Sequence, residues 1–161
     1  MARDAPAVVH RLPLRVYWED TDAGGIVFYA NYLKFFERAR TEWLRALGVQ
    51  QQAMRERTGA IFVVTHTSMR FRAPARLDDA LQVTVAVRHT GRASLEVAQQ
   101  AWRVQRPPAA WPPHADEPEP HGNAEPDRET LLVDGDVRIG CVDAASLRPC
   151  RIPADILELL P

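Results

Sequence analysis

Cysteine, glycine and lysine are scarce in this 161-residue chain, and the first two scarcities each remove a class of explanation. The two cysteines, Cys141 and Cys150, come with no Cys-x-x-Cys and no paired histidines, so they read as isolated thiols rather than a disulfide framework or a zinc site. The five histidines, His10, His66, His89, His114 and His121, have no spacing that suggests metal ligation, and no metal is expected. Glycine never forms a Gly-x-Gly-x-x-Gly run, which removes a dinucleotide-binding loop. No stretch approaches the roughly 18 apolar residues of a membrane-crossing helix. Met1 to His10 likewise lacks the apolar centre of a leader peptide, and a soluble, cytoplasmic protein with no integral membrane segment is expected. Charge of one sign is missing too: 20 basic and 21 acidic residues leave a net charge of -1, which gives no footing for nucleic-acid binding. Lys34 is the single lysine among many arginines, a compositional habit without functional content.

What is present is enough apolar residue, 46 %, to bury one core in one domain spanning residues 1–161. Leu12, Leu14, Val16 and Trp18 alternate with Pro13, Arg15 and Tyr17, the period of a half-buried strand. Beyond it the period becomes helical. Tyr32, Phe36, Ala39, Trp43 and Leu47 form one apolar stripe, Glu37, Arg38, Arg40 and Glu42 fill the other face, Asn31 is placed to cap the start and Gly48 to end it. A turn or short helix closes near Gly59. Strands follow at 61–71, 81–89 and 94–104, the last two joined by a hairpin turn at Thr90-Gly91-Arg92, and a final strand covers about 131–142 with Gly135 as a possible bulge. One helix against about five antiparallel strands makes an α+β domain.

Residues 105–129 interrupt that order with seven prolines, six acidic residues and two arginines, a local charge of +2 - 6 = -4. Such a segment buries too little apolar surface to offset its ordering entropy. It is expected to be an extended or disordered hairpin loop inserted at the surface, with Trp111 either solvated there, folded over a site or docked on a partner.

Between the first strand and the helix, Glu19-Asp20-Thr21-Asp22-Ala23-Gly24-Gly25-Ile26-Val27-Phe28-Tyr29-Ala30-Asn31-Tyr32 sets carboxylates and glycines beside a helix N-terminus. Free amides with a partial positive charge favour an oxygen that becomes negative in acyl transfer. Asp22 can then serve as nucleophile or as general base. The residues alone also allow the plainer reading that the two acids cap a turn. An EF-hand is excluded because the chain turns apolar after Asp22 instead of presenting further oxygen ligands.

This loop, with Phe35-Phe36-Glu37-Arg38-Ala39-Arg40 after it, resembles the signature of hotdog-fold acyl-CoA thioesterases, within them the 4-hydroxybenzoyl-CoA thioesterase group and its Tol-Pal-associated branch. Leu77-Asp78-Asp79-Ala80-Leu81 and Arg151-Ile152-Pro153-Ala154-Asp155-Ile156 extend the likeness. The resemblance implies a sheet wrapped around one long helix and a hydrolase that cleaves acyl-CoA, of short to medium chain or aromatic, to free acid and CoA without a cofactor. By it, Asp22 is the catalytic carboxylate, the backbone N-H of Tyr29 polarises the thioester carbonyl, and Gly25, Asn31 and Arg92 bind substrate, Arg92 through CoA phosphates. Tyr29 matches the 4-hydroxybenzoyl group, whereas the Tol-Pal branch usually has His there; the helix looks more like the Tol-Pal branch. The resemblance also implies subunits paired edge to edge as a homodimer, and dimers paired into a homotetramer. The other readings are a non-catalytic acyl-thioester binding or scaffold module of the Tol-Pal system and a hotdog hydratase or dehydratase, which would want a histidine in the loop. Outside the signature, Glu37 is expected to pair with Arg40, His66 to pack within its strand, and Asp78 and Asp79 to shape a turn.

Overall fold

The computed structural model describes residues 6–105 and 129–161, so Trp111, His114, His121 and all but the ends of the 105–129 insertion lie outside the described residues. Five strands, β1 (Val8–Arg15), β2 (Ala60–Phe71), β3 (Ala80–Thr90), β4 (Ser94–Arg103) and β5 (Thr130–Asp143), form one antiparallel sheet in the order β1-β3-β4-β5-β2. Helices α1 (Asn31–Ala46), α2 (Gln51–Thr58) and α3 (Ala154–Leu157) complete the α+β fold. It is the hotdog arrangement: α1 lies on one face of the sheet, and β2, the 12-residue strand next to β5, is left at an edge.

The apolar stripe does what its spacing demands. Tyr32, Phe36, Ala39 and Trp43 are buried, joined by Phe35 and Leu44, and they meet Leu81, Val83, Val85, Leu95, Val97 and Leu132 of the sheet in one core. Burying Phe35 and Phe36 completely is worth roughly 1.5–3 kcal/mol each. One polar group enters this core fully satisfied: Gln99, wholly buried, donates from Nε2 to the Phe36 carbonyl at 3.0 Å and accepts from Arg40 at 2.7 Å. Gly48 ends the helix as expected, at φ +84°, with its N-H on the Arg45 carbonyl and that of Val49 on Leu44.

Three details depart from the sequence reading. The first strand runs over 8–15, and Trp18, expected to point inward, is 79 % exposed because the chain leaves the sheet into a 3-10 turn at Trp18–Asp20. Asn31 is the first helical residue, not the cap; Ala30 holds the cap position without a side-chain bond. Gly135 is not a bulge, since the ladders of β5 with β2 and β4 run through it and the β2 register slips at Val64/His66 instead. The other turns are as read: Gly91 N-H closes the β3–β4 hairpin on Ser94, Asp79 Oδ2 accepts from Arg76 N-H at 2.8 Å, and Asp78 takes φ +69°.

His10 on β1 carries a pH dependence. Its Nε2 is buried with no hydrogen-bond partner among the described residues, and burial holds the imidazolium below the usual histidine range against the opposing pull of Glu42. The folded chain therefore takes up this proton less readily than the unfolded one, so the contribution of His10 is intact above about pH 6.5 and is lost as pH falls below it. Urea midpoints between pH 7 and 5 should fall, and more steeply than in a His10→Gln variant; equal slopes would remove His10 from the account.

Candidate active site

The loop between β1 and α1 is stitched at its base by Asp20, which the sequence reading passed over. Its buried carboxylate accepts from Tyr17 N-H at 2.9 Å, while its carbonyl receives Phe28 N-H at 2.8 Å and Asn31 Nδ2 at 2.9 Å. Asn31 therefore lies beneath the loop with its amide spent on backbone, fixing the helix head to the loop's start. Turn chemistry alone does not set Asp20 apart from Asp22, because both are acids in an Asp-Thr-Asp turn; their depth in the fold separates them.

Asp22 sits on the outer lap of the same loop and is exposed. Its N-H donates to Ile26 at 3.0 Å and its carbonyl accepts from Gly25 at 3.0 Å, a tight turn in which Gly25 takes φ +72° and needs no side chain. One carboxylate oxygen, Oδ1, accepts from Gly24 N-H at 2.8 Å; the other has no partner among the described residues. A Cβ at Gly24 would stand 3.0 Å from that Oδ1, so glycine there leaves the carboxylate room. Val27 N-H on Ala75 at 2.9 Å and the Ile26–Arg76 bridge moor the loop to the segment before β3. Asp22 is thus a surface carboxylate with its chain path fixed and one oxygen available.

The helix head supplies the complement. Phe28 and Asn31 amides are used, on Asp20 and on Phe28, but the Tyr29 amide has no acceptor among the described residues. It lies two residues before a 16-residue helix whose N-terminus carries about half a positive charge. The Tyr29 ring, 64 % exposed, packs 4.7 Å from Phe28 and edge-on to Phe71, 6.3 Å away, the last residue of β2; Tyr32 touches the same Phe71 at 6.0 Å. Burial pushes the Tyr32 phenol up, and its oxygen accepts from Ala75 N-H at 3.3 Å. Aromatic contacts thereby tie the helix head to the end of the edge strand, a link between residues 29 and 71 that no local pattern announces.

The remaining candidates stand elsewhere. Glu37 accepts from Thr41 at 2.7 Å instead of pairing with Arg40, which turns to Gln99; Glu37 acts on Arg40 only as a neighbouring charge, opposing the burial that lowers Arg40. Both line a cavity of about 100 Å³ with Phe62, Val64, Leu95 and Ile139. His66 is exposed and joins Arg88, Glu96, Asp136 and Arg138 along an open groove, where Arg88 and Asp136 pair at 2.7 Å. Arg92 is exposed at the β3–β4 turn, its carbonyl held by Ile152 N-H at 2.8 Å. Among the described residues no three His, Cys, Asp or Glu converge to hold a metal.

Residues 24–110 match the thioesterase superfamily. The acyl-CoA thioester hydrolase YbgC of Escherichia coli is 38% identical over 148 residues, 91% of this chain and 92% of that one. The acyl-CoA thioesterase YbgC of Haemophilus influenzae is 34% identical over 144 residues, 89% of this chain and 88% of that one. Among solved structures, a probable thioesterase from Bartonella henselae matches with TM-score 0.70 at 27% identity over 91% of this chain and 100% of its own. A 4-hydroxybenzoyl-CoA thioesterase complexed with 4-hydroxybenzoyl-CoA matches with TM-score 0.72 over 92% of this chain and 96% of its own, at 20% identity a likeness of fold alone.

Proposed function

The chain belongs to the thioesterase superfamily, and from that membership we propose that it hydrolyses acyl-CoA thioesters, of short to medium chain or aromatic, to free acid and CoA, with Asp22 and the Tyr29 amide at the reacting carbon. The observation that carries the reading is the pairing of an exposed carboxylate oxygen with an unused amide at a helix head, both on one loop fixed by Asp20 and Asn31. Acyl transfer asks for these two things, a base or nucleophile on one side of the carbonyl and a donor for its oxygen on the other.

As a base, Asp22 takes a proton from water as the oxygen bonds to the thioester carbon. The Tyr29 N-H holds the resulting oxyanion, and collapse expels the CoA thiolate, which recovers the proton from Asp22. As a nucleophile, Asp22 attacks the thioester carbon and expels the CoA thiolate to leave a mixed anhydride; water then opens it to the free acid and the Asp22 carboxylate, and its proton goes to the thiolate. Both routes need the carboxylate ionised. In this proposal Gly25 and Arg92 meet the substrate, Arg92 through CoA phosphates, while Asn31 holds the loop beneath them.

The site of a single chain is open, with Asp22 and Tyr29 both facing solvent. Next to it β2 offers an unpaired edge with Val64 and Phe71 half exposed. These features support edge-to-edge pairing into a homodimer that walls the pocket, and a homotetramer beyond it. A cytoplasmic, cofactor-free enzyme is part of the same proposal. No helix among the described residues is long and apolar enough to cross a membrane.

The test is thiol release from acyl-CoA esters, short to long aliphatic plus benzoyl and 4-hydroxybenzoyl, by a species whose mass light scattering gives. Hydrolysis of a subset by a dimer or tetramer is expected, and the preferred ester names the branch. No release from any ester would overturn the hydrolytic reading, and a fully active monomer would overturn the shared pocket.

A further inference from the structure

Cys141 and Cys150, which the sequence presents as isolated thiols, are neighbours. β5 ends at Asp143 and the chain reverses through a turn that Asp143 organises: Oδ1 accepts from the Ser146 amide at 2.8 Å and the Ser146 hydroxyl at 2.7 Å, and Leu147 takes φ +56°. Residues 149–152 then return beside β5. Asp143 N-H reaches the Arg148 carbonyl at 2.9 Å, Cys150 N-H the Cys141 carbonyl at 3.0 Å, and Val142 bridges to Pro149. This return brings the two sulfurs to 3.6 Å, with Cys141 buried in the core and Cys150 half-buried at its margin. The hydrolytic reaction uses neither.

We propose that Cys141 and Cys150 are a reversible redox pair whose oxidation staples the returning segment 149–157 to β5. Closing from 3.6 Å to a bond of about 2.05 Å takes a movement of about 1.5 Å, within reach of the two side-chain rotations on segments already hydrogen-bonded together. The oxidant is hydrogen peroxide. Cys150, the more exposed sulfur, attacks the peroxide and becomes the sulfenic acid as the first water leaves. The Cys141 sulfur then displaces the sulfenic oxygen, which departs with the Cys141 proton as a second water. Two thiols and one peroxide thus give one disulfide and two waters. Burial, with Cys150 beside it, pushes the Cys141 thiol up to about 12, so it is a poor first nucleophile and serves as the resolving one, where proximity replaces acidity.

The pair governs more than its own turn. One residue beyond Arg151, Ile152 is buried and its N-H holds the carbonyl of Arg92 at 2.8 Å, and Ile156 of α3 is buried in the same core. A bond at Cys150 therefore fixes the segment that braces the β3–β4 turn. This inference is independent of the thioesterase reading.

The experiment treats the purified, reduced chain with hydrogen peroxide. Free thiols counted after denaturation should fall from two to none. The intact mass should drop by about 2 Da, and dithiothreitol should restore both thiols. The melting temperature of the oxidised form should rise by about 5 °C or more. Amide exchange at Ile152 should slow. Cys150→Ser, treated alike, should show no mass loss and no stabilisation, and Cys141→Ala should behave the same way if the larger change in the core is tolerated. Survival of both thiols, mass gain from sulfinic acids, or a link between chains would each overturn the pair; a bond with unchanged exchange at Ile152 would overturn the brace.

Discussion

Replacing Asp22 by Asn is expected to lower kcat for acyl-CoA hydrolysis by about a hundredfold or more, some 2.7 kcal/mol of transition-state stabilisation, with KM little changed. The substitution is chosen for what it spares. Asn keeps an oxygen for the Gly24 amide, which Asp22 Oδ1 receives at 2.8 Å, and the backbone bonds to Ile26 and Gly25 do not involve the side chain. The loop is therefore retained and only the charge is lost, which unchanged circular dichroism and melting temperature would verify. A base and a nucleophile both fail without that charge, since an amide neither takes a proton from water at neutral pH nor attacks a thioester carbon. A loss under tenfold in a folded variant would move the chemistry to another group. The oxyanion donor is a backbone N-H, so side-chain changes at Tyr29 leave it in place, and Asp22 is the side where a substitution separates chemistry from binding.

Much of this was legible because it is local. The step-of-three-and-four stripe from Tyr32 to Leu47 could only be a helix with one buried face, and the alternation of Leu81, Val83, Val85 and Val87 could only be a strand. The loop that enters that helix was readable as a candidate site because its parts are adjacent in sequence, from Asp22 to Tyr29. What escaped depends on contacts between distant residues. That Asp20 is the buried stitch and Asp22 the open carboxylate follows from which acid meets Tyr17, Phe28 and Asn31, and turn chemistry alone does not set the two apart. Asn31 has the chemistry of a cap, yet the approach of the Asp20 carbonyl gives its Nδ2 a buried partner and draws it into the first helical turn. The Cys141–Cys150 contact escaped because a nine-residue separation is unremarkable until the Asp143 turn folds it back. Trp18 failed for the opposite reason: strand period carries no mark of where the strand stops.

Gly135→Ala is expected to cost roughly 2 kcal/mol or more, lowering the melting temperature by about 4–8 °C. The sign is set by competition. In an extended strand, alanine for glycine ordinarily stabilises by about 0.4–1 kcal/mol through the unfolded chain, which has less freedom to lose. At Gly135 the new Cβ would stand 2.4 Å from the Ser68 carbonyl oxygen, 3.3 Å from the Phe36 ring and 3.4 Å from Met69. The first neighbour is backbone of the paired strand β2 and cannot swing aside as a side chain would, while the Phe36 ring is fully buried under α1. Steric cost therefore outweighs the entropic gain, and relief requires either parting β2 from β5 or lifting α1 from the sheet. Lifting α1 would disturb the helix whose head carries the Tyr29 amide, so hydrolysis by the folded fraction should fall as well, through kcat more than KM. A melting temperature unchanged or raised would mean that β2 yields at Ser68 without cost, and the close approach of helix and sheet at this glycine would then be no constraint on the site.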